Sequence, residues 1–317
     1  MKAIRLHAFG SAPVIEELPE PPLPAGSLRL RMLAAPINPA DLNVIEGKYG
    51  RLPELPATLG NEGVGRVIEA GNGVSGFAPG DLVLPMQSGV WAEQVVVPAG
   101  PAIRISGTPD PLQAAMLMVN PATAYGLLAR FAALEPGDWI VQNAANSGVG
   151  RCVIQIARQL GFRTLNVCRR PELLEELTAL GGDECVTEEM DLKNHAPAAK
   201  LALNAVGGAS ALNVANALAP GGAHVTYGAM GRQPVKIPNG LLIFKNLSFH
   251  GFWVTKWLAA LEPAARRALF DRLAGWVSAG RLIQPIAGIY PPEKIAEALA
   301  EAAREKRSGK VMLKFAD

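Results

Sequence analysis

The stretch "DWIVQNAANSGVGRCVIQIARQLG", residues 138–161, decides the architecture. It opens on an apolar run that reads as a strand and crosses a loop of small residues. It then enters a segment whose Val149, Val153, Ile156 and Leu160 recur at helical spacing, with Gly161 placed to end the helix. A loop that joins a strand to a helix N-terminus offers unpaired N–H groups and the positive end of the helix dipole, so it suits an anion. Set against the dinucleotide pattern G-x-G-x-x-G, the key positions are Ala145, Ser147 and Gly150, and only the last glycine survives. Small residues at all three still allow close approach to a pyrophosphate, and Ser147 adds a hydroxyl.

Working outward, the same grammar continues. "TLNVC" reads as a strand, "PELLEELTAL" as a helix, "KLALNAV" and "AHVTYG" as strands with "ASALNVANALA" between them, and "LSFHGFW" as a further strand. Strands alternating with helices predict a doubly wound parallel sheet of the Rossmann type. An NAD site carries an acidic residue at the end of the second strand, to accept from the ribose 2′-OH. Here Arg169 and Arg170 stand in that place, and a guanidinium fork suits a 2′-phosphate, so the expected cofactor is NADPH.

Upstream, to about residue 112, the texture is short β-rich runs between Pro and Gly punctuation, which predicts an irregular, largely antiparallel domain. A second glycine cluster lies there, "LGNEGVGRV", with Gly60, Gly63 and Gly65. A strand follows it rather than a helix, so these glycines are expected to permit tight backbone turns and not to hold phosphate. Downstream, "AARRALFDRLAGWVSAGRL" and "IYPPEKIAEALAEAAREKRSGKVMLKF" read as helix, loop, helix and closing strand. Periodicity alone assigns them to neither domain.

Composition excludes other classes. The chain has 317 residues, 49% apolar and 18% charged, with a net charge of +2, so two globular domains and small-molecule chemistry are expected and nucleic acid is not. Cys152, Cys168 and Cys185 are odd in number and far apart, which fits a reducing compartment. The longest apolar region, around "PLQAAMLMVNPATAYGLLARFAAL", is interrupted too often to span a membrane. "MKAIRLHAFG" shows neither a signal core nor a transit segment, so a cytoplasmic location is expected.

With "NAANSGVGRCVIQIARQLGFRTLNV", "LALNAVGG", "VTYGAM", "IFKNLSFHGFWVT", "INPADLNVIEGKYG", "GNEGVG", "VNPATAY" and "SGKVMLKF" on the page, the chain resembles the medium-chain dehydrogenase/reductases. It is most similar to their mitochondrial-type trans-2-enoyl-thioester reductases, beside the quinone oxidoreductases. The resemblance implies a GroES-like catalytic domain, residues 1–115 completed by 262–317, and a Rossmann NADPH-binding domain, residues 116–261. It also implies a homodimer joined through the cofactor domain. Zinc members of the superfamily have His at the second position of "GNEGVG" and Cys before the helix that begins near Pro39. This chain has Asn61 and Asn38, and amides are poor zinc ligands. Metal is therefore not expected. Asn38 reads as an N-cap with Pro39 at N1, and Asp41 as a first-turn residue rather than a base.

By resemblance, Tyr49 in "IEGKYG" is the proton donor. Asn120, Asn146, Ser147, Gly148, Val149, Arg169 and Arg170 hold the cofactor. Tyr227, Gly228, Ala229 and Met230 end a strand at its carboxyl edge. Phe252, Trp253 and Val254 line the nicotinamide and substrate region, and Lys310 closes the site. The implied reaction is NADPH-dependent, zinc-independent reduction of the C=C bond of trans-2-enoyl thioesters carried on CoA or acyl carrier protein. Lys245, Lys256, Arg266 and Arg267 are candidates to meet an acidic carrier. A quinone or enone oxidoreductase on the same scaffold and a non-catalytic NADPH-binding sensor are the alternatives.

Overall fold

A computed structural model of the chain describes residues 1–316. It comprises two compact units: residues 120–261, and residues 1–119 together with the C-terminal segment from Glu262 onward.

The middle unit is built on a six-stranded, all-parallel sheet. Its strands lie in the order Glu184–Thr187, Arg163–Cys168, Trp139–Gln142, Ala199–Asn204, Leu218–Thr226, Ser248–Gly251. The chain therefore starts at the centre, winds to one edge and returns to build the other, which places the order reversal between Trp139–Gln142 and Ala199–Asn204. In open parallel sheets ligands bind at the carboxyl ends of the strands beside this reversal. Val141, Leu165, Val167, Ala202 and Val214 are buried in the core, as continuous apolar strands require when helices cover a sheet.

The helix Gly148–Leu160 follows the central strand. Ser147 caps it, its Oγ accepting from the Gly150 N–H at 3.1 Å, and Gly161 ends it in the left-handed region at φ +79°. One expectation changes here. "FHGFWV" is not a strand throughout: pairing stops at Gly251, Phe252 donates its N–H to the Thr226 carbonyl at 2.9 Å, and Trp253 caps a helix, Val254–Ala260. Gly251 is the last residue with a neighbouring strand to pair, so beyond it the backbone satisfies itself by turning helical.

The other unit is mostly antiparallel. Its long strand Ser27–Ile37 pairs with Val64–Ala70, Gln94–Pro98 and Lys310–Lys314, and Ile286–Tyr290 runs parallel to the last of these. The C-terminal segment thus belongs to this sheet, a long-range pairing to which helical periodicity is blind. Leu28, Leu30, Met32 and Trp91 form its buried centre.

The first glycine cluster packs this core. A Cβ on Gly60, at φ +102°, would lie 2.3 Å from Trp91 Cδ1. One on Gly63 would meet the Ala34 carbonyl oxygen at 2.9 Å, and one on Gly65 the Arg31 carbonyl oxygen at 2.9 Å. These glycines admit a tryptophan and a neighbouring strand.

Candidate active site

In the parallel-sheet unit the loop between strand and helix has the shape of a phosphate cradle. Ala144 takes a left-handed φ of +47°, and the Ala145 N–H donates to the Val167 carbonyl at 3.1 Å, stitching the loop to the neighbouring strand. A Cβ on Gly150 would sit 2.5 Å from the Ala145 carbonyl oxygen, so the one glycine kept from the pattern is the one that lets helix and strand close together. Gly148 is constrained differently: its Cβ would lie 2.4 Å from Nδ2 of Asn120, the first residue of the helix Asn120–Arg130. Asn120, Asn146, Ser147, Gly148 and Val149 are thus gathered at the start of the helix Gly148–Leu160. Ser147 accepts from the helix through its oxygen, a bond that does not use its own hydroxyl hydrogen. Its side chain also lies beside the buried Tyr227 phenol, whose pKa burial pushes above the ordinary value.

Two further features of this unit escaped the sequence reading. Asn143 donates to Asn204 Oδ1 at 2.8 Å and accepts from the Ala205 N–H at 2.7 Å, while Asn204 also accepts from Gly207 N–H and donates to Thr226 Oγ1. This amide network ties together the carboxyl ends of three strands. Its only trace in the sequence is an asparagine at the end of each apolar run, "IVQN" and "LALN". Arg151, nearly buried, donates from Nε to the Asn146 carbonyl at 3.1 Å and pairs with Glu176 at 2.8 Å, fixing the loop from below.

Arg170 lies 3.8 Å from Glu172 and opens a short 3-10 turn, Pro171–Leu173; Arg169 is exposed beside it. Tyr227 donates its N–H to the Asn204 carbonyl, and Met230 to that of Ala205, so Tyr227, Gly228, Ala229 and Met230 wrap the carboxyl end of a central strand. Phe252 is mainly a packing residue. Its ring stands edge-on to Phe131 at 5.8 Å and 5.7 Å from Trp257, and it fills the space over Gly126. Trp253 is exposed, and Val254 begins the next helix. Lys245 spends two of its three donors inside the unit, its Nζ donating to the carbonyls of Asn216 and Leu218 at 3.0 and 2.8 Å.

In the other unit, Asn38 heads the short helix Pro39–Ile45. Its N–H donates to Asp41 at 2.7 Å, and Asp41 also accepts from the Asn61 backbone at 3.0 Å and side chain at 2.7 Å. Glu62 accepts from Asn38 Nδ2 and from the Val119 N–H, both at 2.8 Å. Lys310 completes the cluster, its ammonium donating to Asn38 Oδ1. Lys310 was expected to close the cofactor site; here its charge sits at the head of this helix. Burial pushes Asp41 up to about 6 and Glu62 up to about 7, opposed by Lys310 and by the donors around them. Tyr49, four residues beyond this helix, is half-buried and packs on the core of its unit.

Residues 24–107 match the alcohol dehydrogenase GroES-like domain, and residues 148–271 match the zinc-binding dehydrogenase family. The human mitochondrial enoyl-[acyl-carrier-protein] reductase is 43% identical over 90% of this chain and 80% of its own length. The chain belongs to the medium-chain dehydrogenase/reductases, on their enoyl-reductase branch. Its fold matches Etr1p, a mitochondrial 2-enoyl thioester reductase of Candida tropicalis solved with NADP and crotonyl-CoA, at TM-score 0.87 and 29% identity over 99% of both chains. A provisionally named NADPH:quinone reductase of Bacillus thuringiensis matches at TM-score 0.91 and 28% identity, over 99% of this chain and 98% of that one.

For this medium-chain dehydrogenase/reductase, the zinc in the family description does not fit the residues present. Asn38 and Asn61 are amides, both are committed to internal hydrogen bonds, and the Lys310 ammonium is a resident cation that repels another. NADPH does fit the parallel-sheet unit. The loop admits no Cβ at Gly148 or Gly150, a 13-residue helix points its N-terminus at it, and two arginines end the second strand.

Proposed function

We propose that the chain reduces the C=C bond of trans-2-enoyl thioesters with NADPH, without a metal. The observation that carries this reading is that Asn38 and Asn61, with the Lys310 ammonium beside Asn38, stand where zinc relatives carry their ligands, in a chain whose parallel-sheet unit has a dinucleotide cradle. A reductase that has lost its Lewis acid needs a substrate whose double bond a thioester already activates, and a proton source at carbon.

NADPH, when bound, supplies the hydride that the β carbon receives. Tyr49 donates the proton to the α carbon, a role its phenolic O–H suits because the acceptor is a strongly basic enolate-like carbon. The N-terminus of Gly148–Leu160, with Asn146, Ser147 and Val149, binds the pyrophosphate, while Arg169 and Arg170 bind the 2′-phosphate. Asn120 and the turn of Tyr227, Gly228, Ala229 and Met230 orient the nicotinamide end, with Phe252, Trp253 and Val254 around it. Lys310 adds positive field from the C-terminal segment.

A homodimer through the parallel-sheet unit is part of this reading. Ile243 is 69% and Phe244 85% exposed, immediately before the edge strand Ser248–Gly251. The exposed cations Lys256 and Arg267 and the half-buried Arg266 suit an acidic acyl carrier protein as carrier besides CoA. Three free cysteines fit the reducing cytoplasm, although the human relative is named as mitochondrial. Among the described residues no helix is long and apolar enough to cross a membrane.

The second reading is NADPH-dependent quinone reduction, favoured by the likeness to the Bacillus thuringiensis structure. One assay separates the two: NADPH oxidation with a medium-chain trans-2-enoyl-CoA and with an ortho-quinone, for wild type and Tyr49→Phe. The thioester reading expects turnover of the enoyl-CoA that falls about 100-fold in Tyr49→Phe with NADPH affinity kept. Turnover of the quinone alone, unaffected by the substitution, would refute it.

A further inference from the structure

Glu62 has no part in the roles described so far, yet it is 1% exposed and both of its carboxylate oxygens are engaged. One oxygen accepts from the Asn38 side chain and the other from the Val119 N–H, the residue before Asn120. Lys310 lies close enough to stabilise its charge, and through Asn38 the two share a partner. A carboxylate is expensive to bury, and truncating one partner of such a cluster leaves an uncompensated charge behind. The positions it touches are the head of the helix Pro39–Ile45, the segment entering Asn120, and Lys310.

That helix has only seven residues, too few to hold itself together in water, so its placement depends on its anchors. Its head is fixed by Asn38 and Asp41. Its tail passes rigidly into the next turn: Glu46 N–H donates to the Leu42 carbonyl, Gly47 N–H to Val44, and Lys48 N–H to Asn43 at 2.8 Å. Gly47 adopts φ +71°, and its missing Cβ leaves room for Phe9. Tyr49 follows directly. Helix and turn form a short lever with the carboxylate cluster at one end and Tyr49 at the other.

We propose that Glu62 is a positioning residue for Tyr49: by holding Asn38 it sets the helix and turn that aim the phenol. The inference rests on the reading of Tyr49 as proton donor. Asn38, Asp41, Glu62 and Lys310 then act as a hydrogen-bonded clamp where zinc relatives use a metal, and the clamp does not itself touch the reacting atoms.

A double-mutant cycle on the full chain tests this, with kcat measured for wild type, Glu62→Gln, Tyr49→Phe and the double variant, using NADPH and a trans-2-enoyl-CoA. Glu62→Gln alone should lower kcat about tenfold, and the same substitution in the Tyr49→Phe background should lower it less than about twofold. The dissociation constant for NADPH, read by cofactor fluorescence, should stay within about twofold of wild type. Equal losses in both backgrounds, or no loss in either, would overturn the proposal while leaving the proton donor in place. Wild-type turnover by Tyr49→Phe alone would instead remove the proton-donor reading, and the proposal with it. If Glu62→Gln does not fold, Asn38→Ala cuts the same link while keeping the carboxylate, and the same coupling is expected; independence from Tyr49 overturns the proposal again.

Discussion

Two loops of this chain are rich in small residues, and they have opposite fates. In residues 60–65, three glycines are needed because Trp91 and the Ser27–Ile37 strand occupy the space their side chains would take. In residues 143–150, Gly150 meets the loop's own backbone and Gly148 meets Asn120, so close packing is again the immediate reason for glycine. The number of glycines separates nothing. What separates the loops is the element that follows: a strand spends its N–H groups on a neighbour, whereas a helix N-terminus leaves them directed at a ligand. The first loop therefore serves packing, and the second is the one with the geometry for the proposed cofactor site.

Substitutions that move one property and spare the other would sharpen this contrast. Gly60→Ala should produce the largest effect, about 3 kcal/mol of lost stability in urea unfolding, because the added Cβ strikes a fully buried indole and the residue sits at positive φ. A stable Gly60→Ala protein with weakened NADPH binding would reverse the assignment of the two loops. Replacing both arginines, Arg169→Ala with Arg170→Ala, should raise the KM for NADPH about 30-fold and that for NADH less than about threefold. Equal losses with both cofactors would break the link between the second loop and a 2′-phosphate. Gly148→Ala would set its Cβ against the buried Asn120 amide, which must shift, so its stability should fall by about 1–2 kcal/mol. Its NADPH affinity should fall about tenfold as Asn120 is displaced, and calorimetric titration beside thermal unfolding would measure the two effects separately.

The smallest effect expected is one of pH, at the edge of the first loop. Asp41 and Glu62 have native pKa values of about 6 and about 7, above their unfolded values. The native state therefore holds more protons than the unfolded chain in this range. Their contribution to stability is full below their unfolded values, about pH 4, and is lost as pH rises from there through the native values. The Tm of wild type should decline from about pH 5 to about pH 8 more steeply than that of Glu62→Gln. Parallel profiles would show that Glu62 does not titrate in the folded protein.

Much of this division is legible in the residues themselves. The strand, loop and helix of residues 138–161 could be read from periodicity, because a parallel sheet under helices forces apolar runs and a 3.6-residue repeat. Arg169 and Arg170 were visible because the end of the second strand is a fixed distance from the loop. The replacement of metal ligands by Asn38 and Asn61 needed only residue identity.

The sequence, then, determined the doubly wound unit, the cofactor preference and the chemistry missing from the old metal site, since each depends on local pattern or on residue type at a set spacing. Tertiary structure alone decided the rest. It placed Lys310 beside Asn38 across 272 residues of chain, joined Asn143 to Asn204 at neighbouring strand ends, diverted Lys245 to two backbone carbonyls and ended the last strand at Gly251. These outcomes follow from which backbone and charged groups must find partners once water is excluded, and that requirement acts between residues whose separation along the chain carries no information about it.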